Sequence, residues 1–238
     1  MNNTSAADVR LNPDARVKLR TIGAEQNPLL IIDDVLEDPE AMVDAAVNAS
    51  WAPPNGTFYP GVNADLPVGY LRTLLPVLKP SFERAFGLRQ DQALIAYGFY
   101  ALATWGFERF QPLQRIPHFD QPNPMSLAMV HYLCRNQPGG TAFFRHRLSG
   151  YESIDNRRRD GYMQAVAQEI DRDGERLTGF AGPDTPNYEM IDSVELRFNR
   201  LVIYRSNVLH CALFDGTALS DDPRTGRLTA NSFFSPKG

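Results

Sequence analysis

Three short stretches hold the side chains best able to do chemistry. The first is Ile116-Pro117-His118-Phe119-Asp120. In an extended segment side chains alternate, so His118 and Asp120 project to one side and Phe119 to the other. An imidazole and a carboxylate at i and i+2 are two ligands for a divalent metal; a capping Asp beside a surface His leaves the same triplet. The second runs from Leu201 to His210, an apolar strand (Leu201-Val202-Ile203-Tyr204) leading into a Ser206-Asn207 turn. It sets His210 at the rim of a sheet, where a third ligand can converge on the first two. Two imidazoles and one carboxylate on one face of an ion, with open positions opposite, suit non-haem Fe(II). The plainer reading of His210 is a hydrogen-bonded histidine at a strand end.

The third stretch is Gly226-Arg227-Leu228-Thr229-Ala230-Asn231-Ser232-Phe233-Phe234. Alternation sets Arg227, Thr229, Asn231 and Phe233 on one face. Such a stripe fits a face lining a ligand cavity, and an edge strand with a solvated face shows it too. A guanidinium with a hydroxyl two residues on can hold a small carboxylate. Arg224 is the rival anion ligand, but it sits in the Asp221–Gly226 turn, whereas Arg227 begins a strand and shares its face with Thr229.

These residues need a scaffold, and the rest of the chain describes one. Its 238 residues, 43% apolar and 22% charged, are ordinary globular composition and favour one domain. Lys and Arg number 24 against 28 Asp and Glu, so no broad basic face for nucleic acid is expected. Cys134 and Cys211 form no CxxC, which excludes a disulfide scaffold or Cys-rich zinc site. No apolar run approaches the ~20 residues of a membrane span, and the N-terminus has no signal-like apolar region. The expected compartment is the cytoplasm.

Residues 1–25 are polar and read as a flexible arm; 26–238 read as a single domain with an insertion at about 150–190. Leu29-Leu30-Ile31-Ile32 predicts a buried strand, and Asp38-Pro39-Glu40 the start of a helix. Residues 52–69, rich in Pro and Gly, read as a structured loop. Leu71, Leu74, Leu75, Leu78, Phe82 and Phe86 recur at helical spacing, with Pro76 and Pro80 predicting a kinked or split helix and Gly87 its end. Strand-like runs follow at 93–105, 127–134, 140–147, 194–205 and 227–234. The insertion contains a charged helical stretch, Arg157 to Arg176, whose Arg157-Arg158-Arg159 read as a solvated face. It and the 52–69 loop are candidate lids. The class is α+β, with N-terminal helices on a β-sandwich or barrel. His131 reads as a satisfied sheet histidine, His146 as a solvated strand end and Cys211 as a core residue. Tyr100, Trp105 and Phe110 read as core or pocket wall.

The order of these pieces resembles the 2-oxoglutarate/Fe(II)-dependent dioxygenase superfamily, in particular its prolyl-hydroxylase-like branch. The chain has HxD at His118 and Asp120, the strand Leu127–Cys134 and Gly139-Gly140-Thr141-Ala142-Phe143-Phe144. His210 after its strand and Arg227-x-Thr229 complete the set. Ile31-Ile32-Asp33-Asp34-Val35-Leu36 looks like that branch's "DxFL" entry, and Met129-Val130-His131-Tyr132-Leu133 before Gly139-Gly140 like its "YLN…GG" hairpin. The chain is also similar to a bacterial family of about this length. The resemblance spans Leu29 to Phe234. It implies a distorted double-stranded β-helix (jelly-roll, cupin-like) with the N-terminal helices packed on one sheet. It further implies Fe(II) held by His118, Asp120 and His210, and 2-oxoglutarate as cosubstrate, its distal carboxylate on Arg227 and Thr229. The expected activity is hydroxylation of a peptide side chain, amino acid or small metabolite, with no nucleic-acid or membrane partner. Two alternatives stand beside it: a non-catalytic jelly-roll binding or scaffold protein, and a cupin-like metalloenzyme using the triad without a 2-oxo acid.

Overall fold

The computed structural model describes residues 9–54, 59–135, 138–214 and 219–237. Among these residues ten strands form two antiparallel sheets. The larger takes the order β1 (Arg16–Ile22), β2 (Asn27–Asp33), β8 (Arg200–Arg205), β5 (Leu127–Tyr132), β10 (Arg227–Pro236), β4 (Leu94–Ala103), β3 (Gly61–Asp65). The smaller is β7 (Tyr188–Glu195), β6 (Gly140–His146), β9 (His210–Leu213). Three α-helices complete the fold: α1 (Glu40–Val47), α2 (Gly69–Phe86) and α3 (Arg159–Asp173). Among the described residues no helix is long and apolar enough to cross a membrane.

The two faces of each sheet have different partners. Side chains at odd positions of β10, from Arg227 to Phe233, face the small sheet, where Arg227 reaches the Gly140 carbonyl. Even positions face α1 and α2. Phe234 meets Phe82 at 5.1 Å, and the Tyr100 hydroxyl donates to the Met42 carbonyl at 2.7 Å. The outer face of the small sheet (Ala142, Phe144, Leu209, Cys211) packs under Tyr162 and Val166 of α3 in a second core. The layers therefore run helices, large sheet, small sheet, helix. The expected α+β character, with helices on one sheet, holds at this level.

Helix α2 is one uninterrupted helix, where Pro76 and Pro80 predicted a kinked or split one. Each internal proline costs about 3 kcal/mol. Five large side chains on its other face (Tyr70, Leu74, Leu78, Phe82, Phe86) are buried, each contributing about 1.5–3 kcal/mol, and burial wins. Both prolines are on the exposed side, where water can hydrate the freed carbonyls. Gly87 ends the helix at φ 74°, in the left-handed region.

Four expectations are corrected. The supposed arm contains β1, which pairs with β2 along its whole length; residues 1–8 lie outside the described residues. This edge strand is exposed on both faces and held by its backbone ladder and by ion pairs of Arg16 with Asp34 and Arg20 with Asp192. Val17 and Leu19 alternate with Arg16, Lys18 and Arg20 as in a strand, but both apolar side chains stay exposed. The 52–69 stretch contains strand β3, with positions 55–58 outside the described residues. The run at 194–205 is two strands, broken at Asn199, which sits at φ 62°. Helix α3 of the insertion backs the small sheet and so is no lid, because its apolar face finds the outer side of β6 and β9.

Candidate metal centre

His118 and His210 come together through backbone hydrogen bonds. The His118 N–H donates to the His210 carbonyl at 2.9 Å, and the His210 N–H donates to the His118 carbonyl at 2.8 Å. Residues exchanging both bonds lie directly opposite, with side chains on one face. Their rings stand 4.4 Å apart. Asp120 is two residues on, its N–H fixed to the Ser206 carbonyl at 2.8 Å, so its carboxylate points the same way. One ligand atom from each of His118, Asp120 and His210 lies within 4.8 Å of the others. Asp120 Oδ1 is 3.7 Å from His118 Nε2, and Oδ2 is 3.8 Å from His210 Nε2. Donors about 2.1 Å from one ion lie within about 4.2 Å of each other, so small side-chain shifts suffice to gather these three.

The protonation of the cluster suits a cation. His210 Nδ1–H donates to the Val208 carbonyl at 2.9 Å, which leaves the Nε2 lone pair facing Asp120. Burial lowers the His210 imidazole to about 4, opposed by that carbonyl. The buried His210 ring is therefore neutral near pH 7, as ligation requires. Burial raises Asp120 to about 6 against the pull of His118; an added cation favours its charged form. The His118 side chain is 53% exposed and that of His210 only 7%, so the cluster sits at the mouth between the sheets with one side open.

Deeper between the sheets lies Arg227, only 4% exposed. Its Nη2 donates to the Gly140 carbonyl at 2.9 Å, and its guanidinium lies 4.7 Å from the Phe214 ring. Its Nε meets no acceptor, and among the described residues no carboxylate pairs with it. A buried cation without a counter-charge is costly, and a small carboxylate would supply what is missing. Thr229 is 1% exposed, its hydroxyl 3.4 Å from the Ala101 carbonyl, free to turn to a better acceptor. Gly140 presents its carbonyl because it has no side chain: a Cβ there would stand 1.9 Å from the Val194 carbonyl oxygen. Arg224 is exposed and pairs with Asp44 at 2.8 Å, away from this pocket.

Some neighbours had no sequence signal. The Tyr59 hydroxyl is buried beside Thr229 with no close hydrogen-bond partner among the described residues, and burial pushes its phenol up to about 12 with Arg227 opposing. The Tyr132 hydroxyl hydrogen-bonds that of Thr141 at 2.6 Å across the two sheets. The Tyr204 ring lies 4.7 Å from that of His210. Only Tyr204, inward by strand parity, could have been found from the pattern. His131 is a satisfied sheet histidine: Asn199 Oδ1 accepts from its Nε2 at 3.2 Å, and Tyr70 donates to its Nδ1 at 3.0 Å. His146 is not a solvated strand end. It is fully buried between Ser149 and Glu169, its Nε2 2.9 Å from the Glu169 carboxylate, because α3 closes over that end of β6. In the Arg157-Arg158-Arg159 run, Arg157 and Arg159 are exposed as expected, and the partly exposed Arg158 pairs with Glu25 at 2.6 Å. Tyr100 and Phe110 are core.

The model of the DUF6445 family, a family of unknown function, matches residues 13–234, and the chain belongs to that family. No curated protein matches it. Among solved structures it is similar to HygX from Streptomyces hygroscopicus with nickel, 2-oxoglutarate and hygromycin B bound. The TM-score is 0.52 at 13% identity, over 90% of this chain and 84% of that one. It is also similar to SnoN, a non-haem alpha-ketoglutarate-dependent epimerase from nogalamycin biosynthesis. Here the TM-score is 0.50 at 13% identity, over 89% and 79%. At such identity the likeness is one of fold.

Proposed function

We propose that this member of the DUF6445 family is an Fe(II)/2-oxoglutarate-dependent oxygenase, a hydroxylase of a small molecule or peptide side chain. We read residues 26–238 as one distorted double-stranded β-helix of the prolyl-hydroxylase-like kind. His118, Asp120 and His210 hold the iron, and Arg227 with Thr229 holds the distal carboxylate of 2-oxoglutarate. One observation carries the reading: three metal-ligating side chains converge on the inner face of a two-sheet fold that also buries an arginine with no counter-charge among the described residues. The folds of HygX, solved with nickel and 2-oxoglutarate, and of SnoN support it.

Held by His118, Asp120 and His210, iron would supply, with 2-oxoglutarate, the oxidising power for O2-dependent chemistry. The chain's own groups do the rest. The Val208 carbonyl orients His210, and the paired backbones of His118 and His210 fix the angle between their rings. Arg227 neutralises the second charge of the dicarboxylate, with the Gly140 carbonyl steadying its guanidinium. The Thr229 hydroxyl donates beside it. Tyr204, Phe143 and Tyr132 exclude water between the sheets.

The test is binding of Mn(II) and then 2-oxoglutarate by calorimetry under anaerobic conditions. The expected results are loss of metal binding in His210→Ala, and retained metal with lost 2-oxoglutarate affinity in Arg227→Ala. Wild-type protein that binds neither ligand refutes the reading and favours a non-catalytic scaffold. Metal binding with no 2-oxoglutarate affinity favours a metalloenzyme that uses no 2-oxo acid.

A further inference from the structure

The inner face of β3, β4 and β10 carries more than the carboxylate anchor. Strand register sets its side chains in rows. The deepest is Ala103 beside Arg227; next come Asn63, Ala101 and Thr229, then Asp65, Phe99 and Asn231, then Tyr97 and Phe233. The last row continues through Ala128 to Tyr204, whose ring touches that of His210. Exposure rises along this path, from 4% at Arg227 to 56% at Tyr97. At the open end Tyr97 and Phe233 stack with ring centres 5.2 Å apart and planes 24° from parallel, and Phe99 joins at 6.0 Å. Gln121, the residue after Asp120, donates through Nε2 to the Ser235 hydroxyl at 3.2 Å, one inward position beyond Phe233. The aromatic stack and the metal triad therefore share one mouth.

Two further groups on this face are unsatisfied. The side-chain oxygens of Asn63 and Asn231 are buried and meet no donor among the described residues. Buried amide oxygens normally find a donor. Asn231 lies one row inside the stack, about 7 Å along the strand from Phe233. A flat aromatic shelf open to solvent, with acceptors waiting just beneath it, describes a ligand: a planar ring to cover the shelf and an N–H or O–H to reach the amide.

We propose that the Tyr97–Phe233 shelf and Asn231 form the substrate subsite, and that the substrate class is a planar aromatic or heteroaromatic compound, or residue, bearing a ring-borne N–H or O–H donor. This rests on the oxygenase reading above. The small side chain of Ala128 leaves the floor between shelf and Tyr204 low, so a ring on the shelf can present its edge toward the triad.

The probes are indole (flat, with N–H), 1-methylindole (flat, no donor) and cyclohexanol (donor, no flat face). Saturation-transfer NMR on the full chain reads contact without needing the metal, and Mn(II) then locates the bound probe by paramagnetic broadening. Indole is expected to bind, 1-methylindole several-fold more weakly, and cyclohexanol not measurably. Tyr97→Ser, at a half-exposed position, weakens indole about five- to tenfold. Asn231→Ala removes the difference between indole and 1-methylindole. Equal transfer to all three probes, no transfer to indole, or an unchanged Tyr97→Ser overturns the subsite, as does Mn(II) that binds without broadening bound indole. Failure of Mn(II) to bind, with the transfer pattern as expected, overturns the metal reading and leaves the shelf as a ring-binding site.

Discussion

Replacing Arg227 with Met tests whether that arginine serves a ligand or the fold. Met keeps most of the stem's volume and removes the charge. The guanidinium is 4% exposed, with one hydrogen bond to Gly140 and a ring contact to Phe214. Burying such an ion costs several kcal/mol. The charged hydrogen bond returns about 1.5–3 kcal/mol and the cation–π contact about 1–2 kcal/mol. Removing all three together nearly cancels, so the ligand-free variant should match the wild type within about 1 kcal/mol. Ligand response should differ sharply. With Mn(II) present, 2-oxoglutarate at a hundred times its Kd stabilises the wild type by about 2.7 kcal/mol. For a chain of 238 residues that raises Tm by about 5–10 °C. The variant should show no shift. The assay is differential scanning fluorimetry with and without 2-oxoglutarate. A structural arginine with a buried partner would instead cost about 3–5 kcal/mol on removal. A fall in Tm of roughly 10 °C or more, with the 2-oxoglutarate shift intact, would refute the argument.

Three other outcomes follow from groups outside the triad. Burial lowers the His131 imidazole to about 4, whereas the unfolded chain takes up that proton near pH 6.5. Its contribution is therefore complete above about pH 6.5 and lost as pH falls toward 4, amounting to about 3 kcal/mol; urea unfolding at pH 7 and 4.5, in wild type and His131→Asn, measures it. Asn199 holds both the N–H and the carbonyl of Leu36 and caps His131 Nε2. Asn199→Ala should cost about 3 kcal/mol in the same assay, and a loss below 1 kcal/mol would show that water replaces the amide. Gly140→Ala forces a Cβ to within 1.9 Å of the Val194 carbonyl oxygen. The hairpin must shift, with an expected cost of about 2 kcal/mol or more and weakened 2-oxoglutarate binding at unchanged Mn(II) affinity.

Much of the frame is legible because burial leaves a period. Leu29 to Ile32, buried on both faces, reads as a continuous apolar run; α2 shows its five core positions at helical spacing. The alternation of β10 correctly sets Arg227 and Thr229 on one face, and i, i+2 parity does the same for His118 and Asp120. Strand β1 carries only a weak trace, Val17 and Leu19 alternating with Arg16, Lys18 and Arg20, and ion pairs and a backbone ladder hold it rather than a buried apolar face. His146 is misjudged for the opposite reason. Nothing in Arg145-His146-Arg147 says that a helix more than ten residues later will close over it.

The sequence by itself determines which side chains share a face within each strand, because alternation is a local property of extended backbone. It does not determine which strands face each other. His118 and His210 are 92 positions apart and meet through backbone hydrogen bonds between the segments that carry them. Arg227 lies buried beneath Gly140, with no carboxylate partner among the described residues, because the two sheets close over it. Side-chain type is written locally, but a coordination sphere and a buried charge are relations between distant segments, and packing of the sheets alone creates them.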